Sequence, residues 1–180
     1  PLLLAPLLAI SPRPHTVTQS LSDASQSIAY GNGATAAAHL ARVAQRLPWR
    51  SELWERAGEL ALQGGAPQAA AGYLEEAGRL DQLSPSGRLL LGDAYRRADK
   101  LQDAILAWET AVLAGESSAE LHERLAAAYQ ESGNWSKTLE HLQKSAALNP
   151  ARAELHFWLG RLLAAQQPGA GLAAGPFPGG

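Results

Sequence analysis

An all-α array of stacked helix pairs is the fold this sequence predicts, and three observations predict it. The first is a period. Leu91-Gly92-Asp93-Ala94-Tyr95 returns as Leu125-Ala126-Ala127-Ala128-Tyr129, and the steps Leu91 to Leu125, Tyr95 to Tyr129 and Leu101 to Trp135 are each 34 residues. The second is composition. Alanine and leucine abound, both favour helix, and Gly and Pro cluster at the ends with no window that reads as a strand-rich core. The third is a register of small and bulky residues that holds in every copy of the period.

The units run Val17–Arg50, Ser51–Ser84, Pro85–Ser118 and Ala119–Arg152, and a fifth begins at Ala153. Position 8 of the unit holds Ala24, Gly58, Gly92, Ala126 and Gly160. Position 20 holds Ala36, Ala70, Ala104 and Thr138, and position 24 holds Leu40, Leu74, Trp108 and Leu142. Small residues at 8 and 20 let two helices cross closely, and the bulky group at 24 fills the space beside them. Each unit therefore reads as a helix of ~14 residues, a tight turn, a second such helix and a short link. Gly31, Gly65 and Gly133 stand at position 15, with Asp99 in the third unit. A left-handed residue is wanted there, just past a helix end. Pro48 and Pro150 stop the second helix in two units, while Gln82 and Glu116 predict softer boundaries in the middle ones. Ser84, Ser86, Ser117 and Ser118 sit at links, where they suit helix N-caps better than nucleophiles.

These residues resemble the tetratricopeptide repeat pattern. Trp54, Ala57-Gly58, Gly65, Ala70, Leu74 and Ala77 match it in the second unit. Leu91-Gly92, Tyr95, Leu101, Ala104, Trp108 and Ala111 match in the third, and Leu125, Tyr129, Gly133, Trp135, Leu142 and Pro150 in the fourth. The first unit is weaker, with Asp23 and Ser27 where Leu and Tyr are expected. The resemblance implies a right-handed superhelical solenoid of about four repeats plus a terminal helix. The array then spans residues 15–167, and its terminal helix spans 153–167.

The flanks differ from the array. Residues 1–14 open on the apolar run Pro1 to Ile10, too short for a bilayer span of ~20 residues. It fits a remnant of a membrane anchor or signal peptide, or an apolar end packed on the first repeat. The former would place the protein at a bacterial membrane or outside it, the latter is compatible with the cytoplasm. Residues 168–180 are rich in Gly and Pro and predict a disordered tail.

Composition narrows the function classes. A net charge of −2 gives no broad electrostatic ground for nucleic-acid binding. The chain has no cysteine, which excludes disulfides and thiolate metal sites. His122 and His156 share position 4 of successive units, too far apart for one zinc ion, and read as packing residues. Glu140-His141 has no HExxH spacing, and GNGA and GGAP are turns between helices rather than phosphate loops. No acid/base or metal set clusters, so the reading is of a non-enzyme with no cofactor. Trp54, Trp108 and Trp135 fall on core positions, whereas Trp49 and Trp158 read as exposed contact residues. Asn134-Trp135-Ser136 fits the glycosylation sequon by chance.

The resemblance also implies a partner-binding groove lined by the first helix of each unit, through positions 2, 5, 9, 12 and 13. Carried over, the second unit offers Glu52, Glu55, Glu59, Leu62 and Gln63. The third offers Ser86, Leu89, Asp93, Arg96 and Arg97, and the fourth Glu120, Glu123, Ala127, Gln130 and Glu131. Seven acids against two bases predict a protein or peptide partner of basic character. The expected role is a protein-interaction scaffold. The alternative is the soluble part of a membrane-anchored or exported bacterial envelope protein, in which the array assembles a complex or spaces another domain.

Overall fold

The computed structural model describes residues 14–80, 83–151 and 161. The N-terminal apolar run, the terminal helix with His156 and Trp158, and the Gly/Pro tail lie outside the described residues. Those residues form eight α-helices and no strand. In order they are α1 (Pro14–Ala29), α2 (Gly33–Arg46), α3 (Ser51–Gln63), α4 (Pro67–Leu80), α5 (Pro85–Arg97), α6 (Leu101–Leu113), α7 (Ala119–Glu131) and α8 (Trp135–Leu148). They divide into two compact units, one ending at Ala98 and one starting at Asp99.

The turns form as the sequence predicts. Gly31, Gly65 and Gly133 have φ of 73°, 71° and 77°, and Asp99 adopts φ 59° in the equivalent place. In each glycine turn the following amide reaches back to the last full helical turn: Asn32 to the Ser27 carbonyl, Ala66 to Ala61 and Asn134 to Tyr129, at 2.9, 2.8 and 2.8 Å. This is the Schellman closure, and it satisfies carbonyls that a helix end would otherwise leave unpaired. The soft boundary expected at Glu116 is not soft. Gly115 takes φ 92°, and the Glu116 amide donates to the Ala111 carbonyl at 3.1 Å, so α6 ends on the same closure without a proline.

Ser84 and Ser118 cap α5 and α7 by accepting from the Gly87 and Leu121 amides, at 3.0 and 3.1 Å. Asn134 does the same for α8 through its side-chain oxygen and the Lys137 amide. The asparagine of the sequon is therefore a helix cap.

Within the first unit the helices pack in succession, α1 on α2, α2 on α3, α3 on α4 and α4 on α5, with α3 also touching α5. Each short turn folds its two helices into an antiparallel hairpin. The core register holds throughout. Ala36, Ala70 and Ala104 are fully buried and Thr138 nearly so, as are Leu40, Leu74, Trp108 and Leu142. A side chain at Gly58 would sit 2.5 Å from Leu74 Cγ, which shows how closely α3 and α4 cross. Asp23 is not stranded in an apolar slot. It accepts from Gln19 at 2.8 Å and lies 3.8 Å from His39 Nδ1.

Trp135 corrects the sequence reading. It is 42% exposed and does not join the core. It is the first residue of α8, and helical side chains lean toward the N-terminus, so no preceding turn of its own helix covers it.

One polar contact recurs with the period. Tyr95 Oη donates to Glu75 in the first unit at 2.7 Å, and Tyr129 Oη donates to Glu109 in the second. Both pairs lie 20 residues apart and join position 11 of one repeat to position 25 of the repeat before it. Burial and the Glu109 carboxylate push the Tyr129 hydroxyl well above its ordinary pKa, so it stays a donor. Tyr129→Phe strands that carboxylate, and urea unfolding is expected to show a loss of about 1–2 kcal/mol. Tyr95→Phe should cost less, since its pair is exposed. Equal, negligible losses would remove the clamp from the account.

Candidate partner-binding face

The groove positions divide into two kinds once their surroundings are known. In the first unit, Glu55 is half-buried and faces the start of α5. Its carboxylate accepts from the Ser84 amide at 2.7 Å and from Ser84 Oγ at 2.5 Å. A carboxylate at a helix N-terminus is held by the helix dipole and by unpaired amides. A side chain at Gly87 would come within 3.0 Å of it, so glycine leaves the room that Glu55 occupies. Glu55 therefore fastens α3 to α5. In the second unit Glu123, at the same repeat position, accepts from Ser145 Oγ of α8 at 3.1 Å. Leu62 is buried at 5% exposure and belongs to the core, not to an open face.

The remaining positions stay at the surface. Glu52 is exposed and lies 3.7 Å from Arg50. Glu59 is held by Arg56 and by Gln63, the latter at 3.3 Å. Arg97 Nη1 donates to the Leu62 carbonyl at 3.3 Å, a second tie between α5 and α3. Asp93 and Arg96 are half-buried on α5 beside it. On α7, Glu120 pairs with Arg124 at 2.7 Å, Gln130 is half-buried and Glu131 is exposed. Arg50, Arg56 and Arg124 lie outside the five groove positions, so the field is weaker than seven acids against two bases implies. Trp49, in the link before α3, is 73% exposed, as its place in a link suggests.

A second cluster lies inside the α7–α8 pair. His122 and His141 are 2% and 4% exposed, their rings 5.2 Å apart, with Nδ1 facing Nδ1 at 3.0 Å. Ser117 Oγ lies 3.1 Å from His122 Nε2, and the Tyr129 ring stacks on His141 at 5.6 Å. Burial lowers both pKa values, that of His141 to about 4, with repulsion from His122 adding to it. Two nitrogens fall short of the three protein ligands that hold a catalytic zinc, and no group of three metal-binding side chains occurs among the described residues. Both histidines are packing residues, as expected of His122. The contact between them was not expected, because they come from different helices. The signal for it is the second repeat, Ser51–Ser84, where Trp54 and Tyr73 hold the same two repeat positions with rings 5.9 Å apart.

Paired helices, left-handed position-15 turns and the small-small-bulky register together define a tetratricopeptide-repeat fold. Solved structures of that fold agree. MamA matches with a TM-score of 0.71 at 22% identity, over 82% of this chain and 81% of that chain. A MamA from Desulfovibrio magneticus RS-1 matches with 0.68 at 18%, over 84% and 85%. YrrB, described as a TPR protein with an unusual peptide-binding site, matches with 0.66 at 14%, over 83% and 82%. At these identities the likeness speaks to the fold. No protein-family model and no curated protein matches the sequence. Among the described residues, no helix is long and apolar enough to cross a membrane.

Proposed function

We propose that the chain is a non-catalytic protein-interaction scaffold that holds a polar segment of another protein along the first helices of its repeats. One observation carries this reading: α3 and α5, the first helices of successive pairs, lie directly against each other. On this reading Glu52, Glu59, Asp93, Arg96 and Arg97 form one polar face of the first unit, supported by the ties that Glu55 and Arg97 make between α3 and α5. The likeness to YrrB, a protein described as having a peptide-binding site, supports it. The partner segment sets basic groups against Glu52 and Glu59 and acidic groups against Arg96 and Arg97. In the second unit, taken by itself, Glu120, Gln130 and Glu131 keep α7 polar, while Glu123 holds α8.

The test is a pull-down with the full chain as bait, a salt step, and the same bait carrying Glu52→Lys, Glu59→Lys and Asp93→Lys. The specific partner should be released by moderate salt, as expected for exposed ionic contacts. The triple variant should retain at least about tenfold less of it, a loss of roughly 1.4 kcal/mol. Retention unchanged by salt and by all three substitutions would remove this face from the proposal.

A further inference from the structure

In every state of the α7–α8 pair, the two facing Nδ1 atoms of His122 and His141 must share one hydrogen if their 3.0 Å contact is to hold. Hydrogen-bond accounting places it. His141 Nε2 is buried and has no hydrogen-bond partner among the described residues. If His141 carries its hydrogen on Nδ1, that Nε2 is only an unused acceptor. His122 then accepts at Nδ1 and donates from Nε2 to Ser117 Oγ, and no buried N–H is left unpaired. The opposite tautomer buries the His141 Nε2–H with nothing to receive it.

A proton added from solvent finds no such arrangement. The first one gives His141 a buried N–H without an acceptor. The second makes both Nδ1 atoms donors that face each other, and the contact is lost. The neighbouring carboxylates are already engaged. Glu140 on α8 is held by Lys137 and Lys144 at 3.2 and 2.7 Å, which keep it ionised down to about pH 2. Glu109 on α6 accepts from Tyr129, and Glu123 on α7 accepts from Ser145. On the α8 side the Glu140 charge favours protonation of His141 while Lys144 and Lys137 oppose it, so burial and the facing His122 ring set the downward direction.

We propose that the His122–His141 contact is an acid-sensitive latch between α7 and α8, closed while the rings share one hydrogen and opened when both are protonated. The sign follows from linkage. An open pair binds protons near the ordinary histidine value of ~6.5, whereas the closed pair binds them only at lower pH. Stability of the pair is therefore fully present above ~6.5 and is lost as pH falls toward the closed-state value. The α7–α8 pair carries this device and the α3–α4 pair does not, because Trp54 and Tyr73 fill the same slot there.

The test is amide hydrogen exchange on the full chain at pH 8 and pH 5, corrected for the intrinsic rate, with side-chain NMR of the histidines. Opening of α7–α8 should increase about 30-fold from His141 alone, using its value of about 4, while α3–α4 changes by less than about threefold. His122→Trp with His141→Tyr copies the Trp54–Tyr73 pair of α3–α4 and should abolish the difference. Equal pH response in α7–α8 and α3–α4, or a response that survives the double substitution, overturns the latch. Should the double variant fail to fold, the unmodified chain decides. Loss of α7–α8 protection that tracks a His141 titration below ~5.5 supports the latch, and titration near 6.5 with protection unchanged overturns it.

Discussion

Replacing Gly64 by alanine should destabilise the first unit by about 3 kcal/mol or more. Gly64 caps α3, and Gly33 begins α2. The two backbones meet there without side chains. A Cβ at Gly64 would lie 2.1 Å from the Ala34 amide nitrogen and 2.7 Å from the Gly33 carbonyl carbon. One at Gly33 would lie 2.6 Å from the Leu60 carbonyl oxygen. Backbone cannot swing aside as a side-chain end does, so the cost is a separation of α2 from α3 across a core that includes Ala37, Leu40, Ala57 and Leu60. Two neighbours serve as controls. Gly65→Ala meets nothing within 4 Å and pays only for φ 71°, about 1–2 kcal/mol. Gly72→Ala meets nothing either, sits mid-helix, and should stabilise by roughly 0.5–1 kcal/mol. Urea midpoints of the three variants check the ranking, and a Gly64→Ala midpoint level with that of Gly72→Ala would deny the backbone contact.

Gly64 also shows which parts of this fold were legible in the sequence. Gly65 is legible as a turn residue because its place recurs at position 15, and its φ of 71° agrees. The Gly33–Gly64 approach was invisible, because it needs two turns from different repeats brought together. The register at positions 8, 20 and 24 was legible for the same reason as the turns: a close helix crossing imposes the same volume at each repeat. Contacts that vary from repeat to repeat were not. His122 and His141 replace Trp54 and Tyr73 in one slot, so the slot recurs while its chemistry does not. The Tyr–Glu clamp had a usable signal, Tyr95 and Tyr129 each following a glutamate by 20 residues, but it lies between repeats and not within one. Trp135 departs from its periodic position because the first residue of a helix has no preceding turn to cover it. The groove face was legible as a set of residues but not as a field. Arg56 and Arg124 sit one residue beyond groove position 5, and a longitudinal count misses charges that reach across from the side.

Leu74→Ala is expected to cost about 3–4 kcal/mol, and Gly58→Ala should recover part of that loss. Leu74 is fully buried at the crossing of α3 and α4, so its truncation removes apolar contact and leaves a cavity that two turn-linked helices cannot easily close. Gly58 lies across from it. A methyl there would meet Leu74 Cγ at 2.5 Å and Cδ2 at 2.9 Å. Gly58→Ala alone gains about 1 kcal/mol of helix propensity and loses more to overpacking, for a net cost of roughly 1 kcal/mol. With Leu74 reduced to alanine the clash disappears, the propensity gain remains, and the new methyl enters the space the leucine left. The double variant should therefore be more stable than the sum of the single changes by about 1–2 kcal/mol. A double-mutant cycle in urea measures this coupling. Simple additivity would mean that α3 and α4 shift to absorb each change independently, and that the glycine at position 8 is not there to admit the bulky residue at position 24. The predicted sign ties the repeat register to a volume shared between two named residues.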